Sequence, residues 1–285
     1  MASGGFLAGL RRWFTPAPVG GSLAEAIRLP SHVLNTSWQF DAPSSRMEWD
    51  VTVHVDPGSS TGEYLGLFNG TIDGSSFYLG MQTNMSNPAL GRGVGKGLIF
   101  STWWSFDEAD IRVAPGGYRE MGTHEGRFIG VRQTYPWTTG DYRVALARAE
   151  ADGDHDWFEL TITPTDPPMA QGDRSVATGP TELIGALRFP RRSPGEPARI
   201  DAGGAVLFME VYGSARTWAD VDRWDVDVMA YADGTRCPSG GTKYPAFPYG
   251  QVMPNANIRY EPERERVVLQ MGGDVEVTDR PADWR

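Results

Sequence analysis

Cysteine is almost absent from this chain of 285 residues: Cys237 stands alone. One thiol excludes an intramolecular disulfide and any metal site built from several cysteines. Lysine is nearly as scarce, with only Lys96 and Lys243 among 26 basic residues, and this arginine skew fits a GC-rich bacterial genome better than selection for anion binding. Positive charge is in deficit overall. The 26 Lys and Arg stand against 36 Asp and Glu, a net charge of -10, so most of the surface repels a phosphate backbone and nucleic acid is not an expected partner. No apolar run approaches the roughly 18 to 20 residues of a spanning helix, and no transmembrane segment is expected. In MASGGFLAGLRRWFTPAP the arginines follow a short apolar patch, the reverse of a secretory signal. No signal peptide is read, and a cytoplasmic location is the default expectation. Helical periodicity is also nearly missing, with SLAEAIRL (22–29) and TWADVDRW (217–224) the two exceptions.

What the chain has is apolar content and strand patterning. Hydrophobic residues make up 40% and aromatics 11%, too much for a disordered chain. In MEWDVTVHVD, Met47, Trp49, Val51, Val53 and Val55 alternate with Glu48, Asp50, Thr52 and His54, the period of a strand buried on one side. Similar runs recur as EYLGLFN, SFYLGMQTN, GLIFSTWW, RFIGVRQTY, YRVALARAE, WFELTITP, ELIGALRF, AVLFMEVYG, WDVDVMAYA, NIRYE and RVVLQMGG, separated by turn signals such as DPGSSTGE, ADGDHD and GSARTW. With 35 Gly and 21 Pro available for hairpin turns, and too little helix for βαβ crossovers, the expected fold is all-β: a two-sheet antiparallel β-sandwich of jelly-roll type. Residues 1–32 read as an N-terminal arm, 33–215 as the sandwich core, and 216–285 as C-terminal strands completing or covering the same domain. In the arm, Phe6, Leu10, Trp13 and Phe14 form an amphipathic set. The run PTDPPMAQGDRSVATGP (164–180) reads as a long excursion between strands.

Several motifs in the middle of the chain recur together in one known family. Gly80 and Gln82 form Gly-x-Gln on one strand; Phe100, Ser101 and Trp103 form Phe-Ser-x-Trp on the next. Glu125 and Gly126 lead into Trp137, Gly140 and Tyr142, the tyrosine one position early. In these features residues 33–215 resemble the bacterial domain of unknown function 3472. Two positions depart from its pattern: Trp104 replaces an acidic residue, and Phe128 replaces a second glycine. The resemblance implies a concanavalin-A-like sandwich and a role in glycan binding, and it supplies no catalytic residues.

Alternation places Tyr78, Gln82 and Asn84 on one face of their strand, Arg132 beside Phe128 and Gly130, and Glu210 beside Phe208 and Tyr212. The expected ligand surface therefore gathers Tyr78, Gln82, Asn84, Arg132, Glu210 and Tyr212 on a concave face, with Trp103 and Trp104 at its rim. Amide and guanidinium groups beside aromatic rings suit sugars, whose hydroxyls need paired hydrogen bonds and whose C–H faces stack on rings. The competing reading is a solvated sheet face carrying surface ion pairs. Arg132 is expected to lie within ion-pair reach of a carboxylate such as Glu125 or Glu210, since a buried arginine needs one. For catalysis the candidates are His124 beside Glu125, as an acid–base pair, and Glu125 with Glu210, as two carboxylates.

Other motifs dissolve on inspection. Asp152, Asp154 and Asp156 have alternating carboxylates but lack the glycine and terminal glutamate of a calcium loop, and GRGVGKG lacks the Ser or Thr of a phosphate loop. No metal or cofactor is expected. The leading expectation is a noncatalytic module for a carbohydrate or similar polyhydroxylated ligand. The alternatives are a carboxylate-dependent glycoside hydrolase or polysaccharide lyase, and a structural or assembly protein.

Overall fold

The structure is a computed structural model and describes residues 22–123, 126–166, 174–203, 205–243 and 251–277. Its strands in chain order begin with β1 (Ser31–Trp38), β2 (Arg46–Val55), β3 (Glu63–Ile72), β4 (Ser75–Gln82), β5 (Ser86–Asn87), β6 (Arg92–Gly93) and β7 (Gly97–Thr102). There follow β8 (Ile111–Val113), β9 (Tyr118–Gly122), β10 (Phe128–Thr134), β11 (Gly140–Asp152), β12 (His155–Asp166), β13 (Val176–Ala177) and β14 (Glu182–Pro190). The last are β15 (Ala205–Val211), β16 (Trp224–Ala232), β17 (Thr235–Cys237), β18 (Ser239–Lys243), β19 (Ala256–Glu261) and β20 (Arg266–Met271).

Apart from β5 and β6, which pair with each other, these strands form a two-sheet antiparallel sandwich. One sheet runs β18-β1-β15-β3-β4-β7-β10-β9 and the other β19-β20-β16-β2-β11-β12-β14-β8. Period-two alternation decides what each sheet buries. In β4, Phe77, Leu79 and Met81 point inward and are fully buried, and in β2 Met47, Trp49, Val51 and Val53 do the same from the facing sheet. Rings interlock across the gap: Trp49 meets Phe68 edge-on at 5.6 Å, and Phe189 lies 5.9 Å from Phe77 and 6.0 Å from Phe100. Toward one end of this core Trp137 stacks on Trp224 at 5.3 Å. Tight hairpins join several neighbours. Asp73-Gly74 between β3 and β4, and Asp233-Gly234 between β16 and β17, have positive φ at both positions, the conformation whose twist matches paired strands.

Two helical expectations are corrected. Residues 22–29 form turns, because their backbone is committed elsewhere: the Ile27 N–H donates to the Arg216 carbonyl at 2.8 Å, and the Leu23 carbonyl accepts from Ala219 at 3.0 Å. Around Trp218 only one 3-10 turn forms, Trp218–Asp220, with Asp220 and Thr217 capping each other. The C-terminal strands join the same two sheets, β16 beside β2 and β18 beside β1. Phe6, Leu10, Trp13 and Phe14, the heart of the excursion (167–173), and the aromatic segments at 244–250 and 281–285 lie outside the described residues.

ADGDHD closes the β11–β12 hairpin. Two of its three carboxylates are already engaged: Arg191 grips buried Asp156 through two nitrogens at 2.8 and 3.0 Å, while Asp152 accepts from Arg188 at 3.1 Å and from the Trp157 indole at 3.2 Å.

Candidate functional site

The outer face of the eight-stranded sheet carries its own cluster, separated by the sheet from the main core. Residues directly opposite each other in antiparallel strands share a face. One row therefore runs His32, Glu210, Tyr64, Gln82 and Gly97 across β1, β15, β3, β4 and β7. The next runs Phe208, Gly66, Gly80, Ile99, Arg132 and Tyr118, and a third holds Tyr78, Ser101, Gly130 and Glu120. Tyr64, Ile99 and Phe208 form an apolar base here, joined by Met85 from outside the rows, with Tyr78 and Tyr212 packed against it.

Two adjacent glycines make the rings fit. A Cβ on Gly66 would stand 2.2 Å from the Phe208 ring, and one on Gly80 would stand 2.0 Å from the Leu65 carbonyl and 2.8 Å from the Tyr64 ring. The backbone contact cannot be relieved by a rotamer change. Gly80→Ala is accordingly expected to cost about 1 to 3 kcal/mol by overpacking, measurable by urea unfolding; an unchanged midpoint would show that the sheet yields here.

Polar groups converge over this base. The Arg132 guanidinium donates to Gln82 Oε1 at 3.0 Å and forms an ion pair with Glu120. Arg132 and Gln82 are 7% and 8% exposed, so these contacts are largely shielded from water. On the other side Glu210 lies 3.6 Å from His32, whose ring stacks on Phe208 at 4.8 Å. Burial lowers the His32 pKa to about 4, leaving it neutral at pH 7. The Tyr212 hydroxyl donates to the Asn84 carbonyl at 2.9 Å, and Tyr78 packs on Trp103 with ring centres 5.0 Å apart.

Six of the residues expected from alternation, Tyr78, Gln82, Asn84, Arg132, Glu210 and Tyr212, thus stand on or beside one face, with Trp103 next to Tyr78. Trp104 does not. Its indole donates to the Arg188 carbonyl at 2.7 Å and its ring packs on the main core near His155, because neighbouring residues at a strand end point to opposite sides. Arg132 does pair with a carboxylate, and that carboxylate is neither of the two named from the sequence but Glu120 on the adjacent strand β9. His124 and Glu125 lie outside the described residues.

Directly behind this face is a carboxyl that alternation alone did not single out as functional. Glu63 is completely buried and its backbone pairs with Val211 and Thr83, each flanked in sequence by residues of the face. Its Oε1 accepts from the Thr61 hydroxyl at 2.6 Å and from the Asp222 N–H at 3.1 Å. Its Oε2 has no hydrogen-bond partner. Desolvation, with a smaller contribution from the nearby Asp222 carboxylate, raises the Glu63 pKa to about 8. Among the described residues no group of three or more His, Cys, Asp or Glu side chains is arranged to hold a metal ion.

No family model and no curated protein matches the chain. Among solved structures it is similar to Scytalido-glutamic peptidase bound to a peptide-based transition-state analogue, with a TM-score of 0.43, 10% identity, and coverage of 85% of this chain and 99% of that one. It is also similar to SCP-B, a member of the Eqolisin family of peptidases in complex with the tripeptide Ala-Ile-His, with a TM-score of 0.42, 8% identity and the same coverage of each chain.

Proposed function

We propose that the outer face of the eight-stranded sheet binds a carbohydrate or similar polyhydroxylated ligand without transforming it. The observation that carries this reading is the shielded Gln82–Arg132 hydrogen bond on the same sheet face as the Tyr78–Trp103 ring pair. A planar amide and guanidinium locked together present fixed donors and acceptors, and neighbouring rings offer apolar surface to sugar C–H groups. The resemblance of residues 33–215 to domain of unknown function 3472 supports the same reading. Calorimetric titration with a panel of soluble oligosaccharides tests it. One glycan class should bind, and Trp103→Ala and Gln82→Ala should each weaken it at least tenfold; a panel without binding to the folded wild type would sink the proposal.

A second reading, carboxylate-assisted cleavage of a glycan, is favoured by Glu210, a carboxylate on this face 3.6 Å from His32. Glu120 does not complete a two-carboxylate pair with it. Five strand spacings separate β9 from β15, roughly 24 Å at about 4.8 Å each, against the ~5 to 10 Å that glycoside hydrolysis needs. Release of reducing ends or unsaturated products from a polysaccharide panel, abolished by Glu210→Gln, would favour this reading over simple binding.

A further inference from the structure

We propose that a proton on Glu63 latches the face described above, holding it ordered while the carboxyl is neutral and loosening it when the carboxyl ionises. This rests on the reading of that face as the ligand-binding surface.

The geometry is one of shared backbone. Glu63 immediately precedes Tyr64. The Glu63 N–H donates to the Thr83 hydroxyl at 2.9 Å and its carbonyl accepts from the Thr83 N–H at 3.0 Å, and Thr83 lies between Gln82 and Asn84. On the other side Glu63 pairs with Val211, which lies between Glu210 and Tyr212. The Gly62 carbonyl accepts from both Tyr212 and Gly213, at 2.8 and 3.0 Å. Five residues of the face, Tyr64, Gln82, Asn84, Glu210 and Tyr212, are therefore chain neighbours of one three-strand crossing with Glu63 at its centre.

The carboxyl itself ties two loops to that crossing. Thr61 comes from the segment before β3 and Asp222 from the segment after the 3-10 turn, and both donate to the same oxygen. The charged and titratable groups around Glu63 are Asp222, whose carboxylate accepts from Ser60 at 2.5 Å, Lys96, which is paired with Asp56 and stands 4.4 Å over the Trp137 ring, and Tyr212. Lys96 is already committed to Asp56, so a negative Glu63 faces a second negative charge in Asp222 with one buried oxygen unpartnered. A charge so placed relieves itself by admitting water, and the two loops are what must move to admit it.

Amide hydrogen exchange of the full chain between pH 6 and 9.5, corrected for intrinsic rates, tests the latch. Protection at Glu63, Tyr64, Thr83 and Tyr212 should fall at least tenfold over this range in the wild type and less than twofold in Glu63→Gln. In Asp222→Asn the fall should move to lower pH, because a like charge has been removed. Equal falls in wild type and Glu63→Gln, or an unmoved transition in Asp222→Asn, would overturn the latch. Calorimetry with the bound oligosaccharide at pH 7 and 9.5 provides the other arm: affinity should drop at least tenfold in the wild type and hold in Glu63→Gln, and affinity that holds in the wild type would also overturn the latch. If no oligosaccharide binds at either pH, the binding reading falls and exchange alone decides the latch.

Discussion

Replacing Glu120 by alanine should destabilise the protein by about 3 to 5 kcal/mol, the range for leaving one partner of a buried ion pair without its counter-charge. The side chains of Arg132 and Glu120 are 8% and 11% exposed, so water cannot take the place of the missing carboxylate. Gln82 cannot either, since its amide oxygen already accepts one guanidinium hydrogen and supplies no negative charge. Removing both charges is a different perturbation. Glu120→Leu combined with Arg132→Met keeps most of the buried volume and eliminates the desolvation cost of both ions, so the double variant should recover most of the lost stability. Urea unfolding followed by tryptophan fluorescence measures all four corners of the cycle. A loss below 1 kcal/mol for Glu120→Ala would place the pair in effectively solvated surroundings and remove the shielding on which the binding proposal depends.

Glu63→Gln should stabilise the protein, and the gain should grow with pH. The sign follows from proton counting. The folded pKa of about 8 lies above the ordinary carboxylate value, so between pH ~4.5 and 8 the folded chain keeps a proton that the unfolded chain releases. Wild-type stability attributable to this group is therefore complete below pH ~4.5, declines as pH rises, and is lost once pH passes about 8. Each tenfold difference in proton affinity between the folded and unfolded chain is worth about 1.4 kcal/mol, so the whole change is on the order of 5 kcal/mol. Glutamine keeps the shape and cannot ionise, so the difference between variant and wild type isolates Glu63 from carboxylates with the opposite trend. Glu48 is one: burial pushes its pKa up, but the hydrogen bonds and charges of Arg46 and Arg174 together outweigh that and hold it below its ordinary range. Denaturant midpoints at pH 5, 6.5, 8 and 9 give the curve, and a difference independent of pH would show that Glu63 is ionised throughout.

The sequence makes part of this arrangement readable, and the boundary has a physical origin. Alternation is local, so the sharing of a face by Tyr78 and Gln82, or by Phe208, Glu210 and Tyr212, could be read one strand at a time. Which strands become neighbours is not local. Glu120 was missed because β9 is five residues long, follows Gly116 and Gly117 and ends at Gly122, too short and too glycine-flanked to register as a strand. Its role also depends on β9 lying beside β10. Trp104 differs for a related reason: a pair of tryptophans reads as one aromatic patch, yet just past the end of β7 the chain sends them to opposite sides of the sheet. Glu63 was legible in principle, since the alternation that turns Tyr64 outward turns Glu63 inward. What the strand pattern could not supply was the reach of Asp222, 159 positions later, into the same buried corner.

The position of β1 in its sheet has a consequence for the order in which the molecule assembles. Its two neighbours are β15 and β18, so His32 waits for Glu210 and Asn35 for Lys243. During synthesis β1 emerges long before either partner exists, and its amides and carbonyls stay in water while the strands from β2 to β14 are being made. Closing loops of this size carries an entropic cost that pairing recovers only at the end, which places the chain among slow, topology-limited folders. The outer face of that sheet inherits the schedule: the row through His32 and Glu210 cannot exist until β15 has docked.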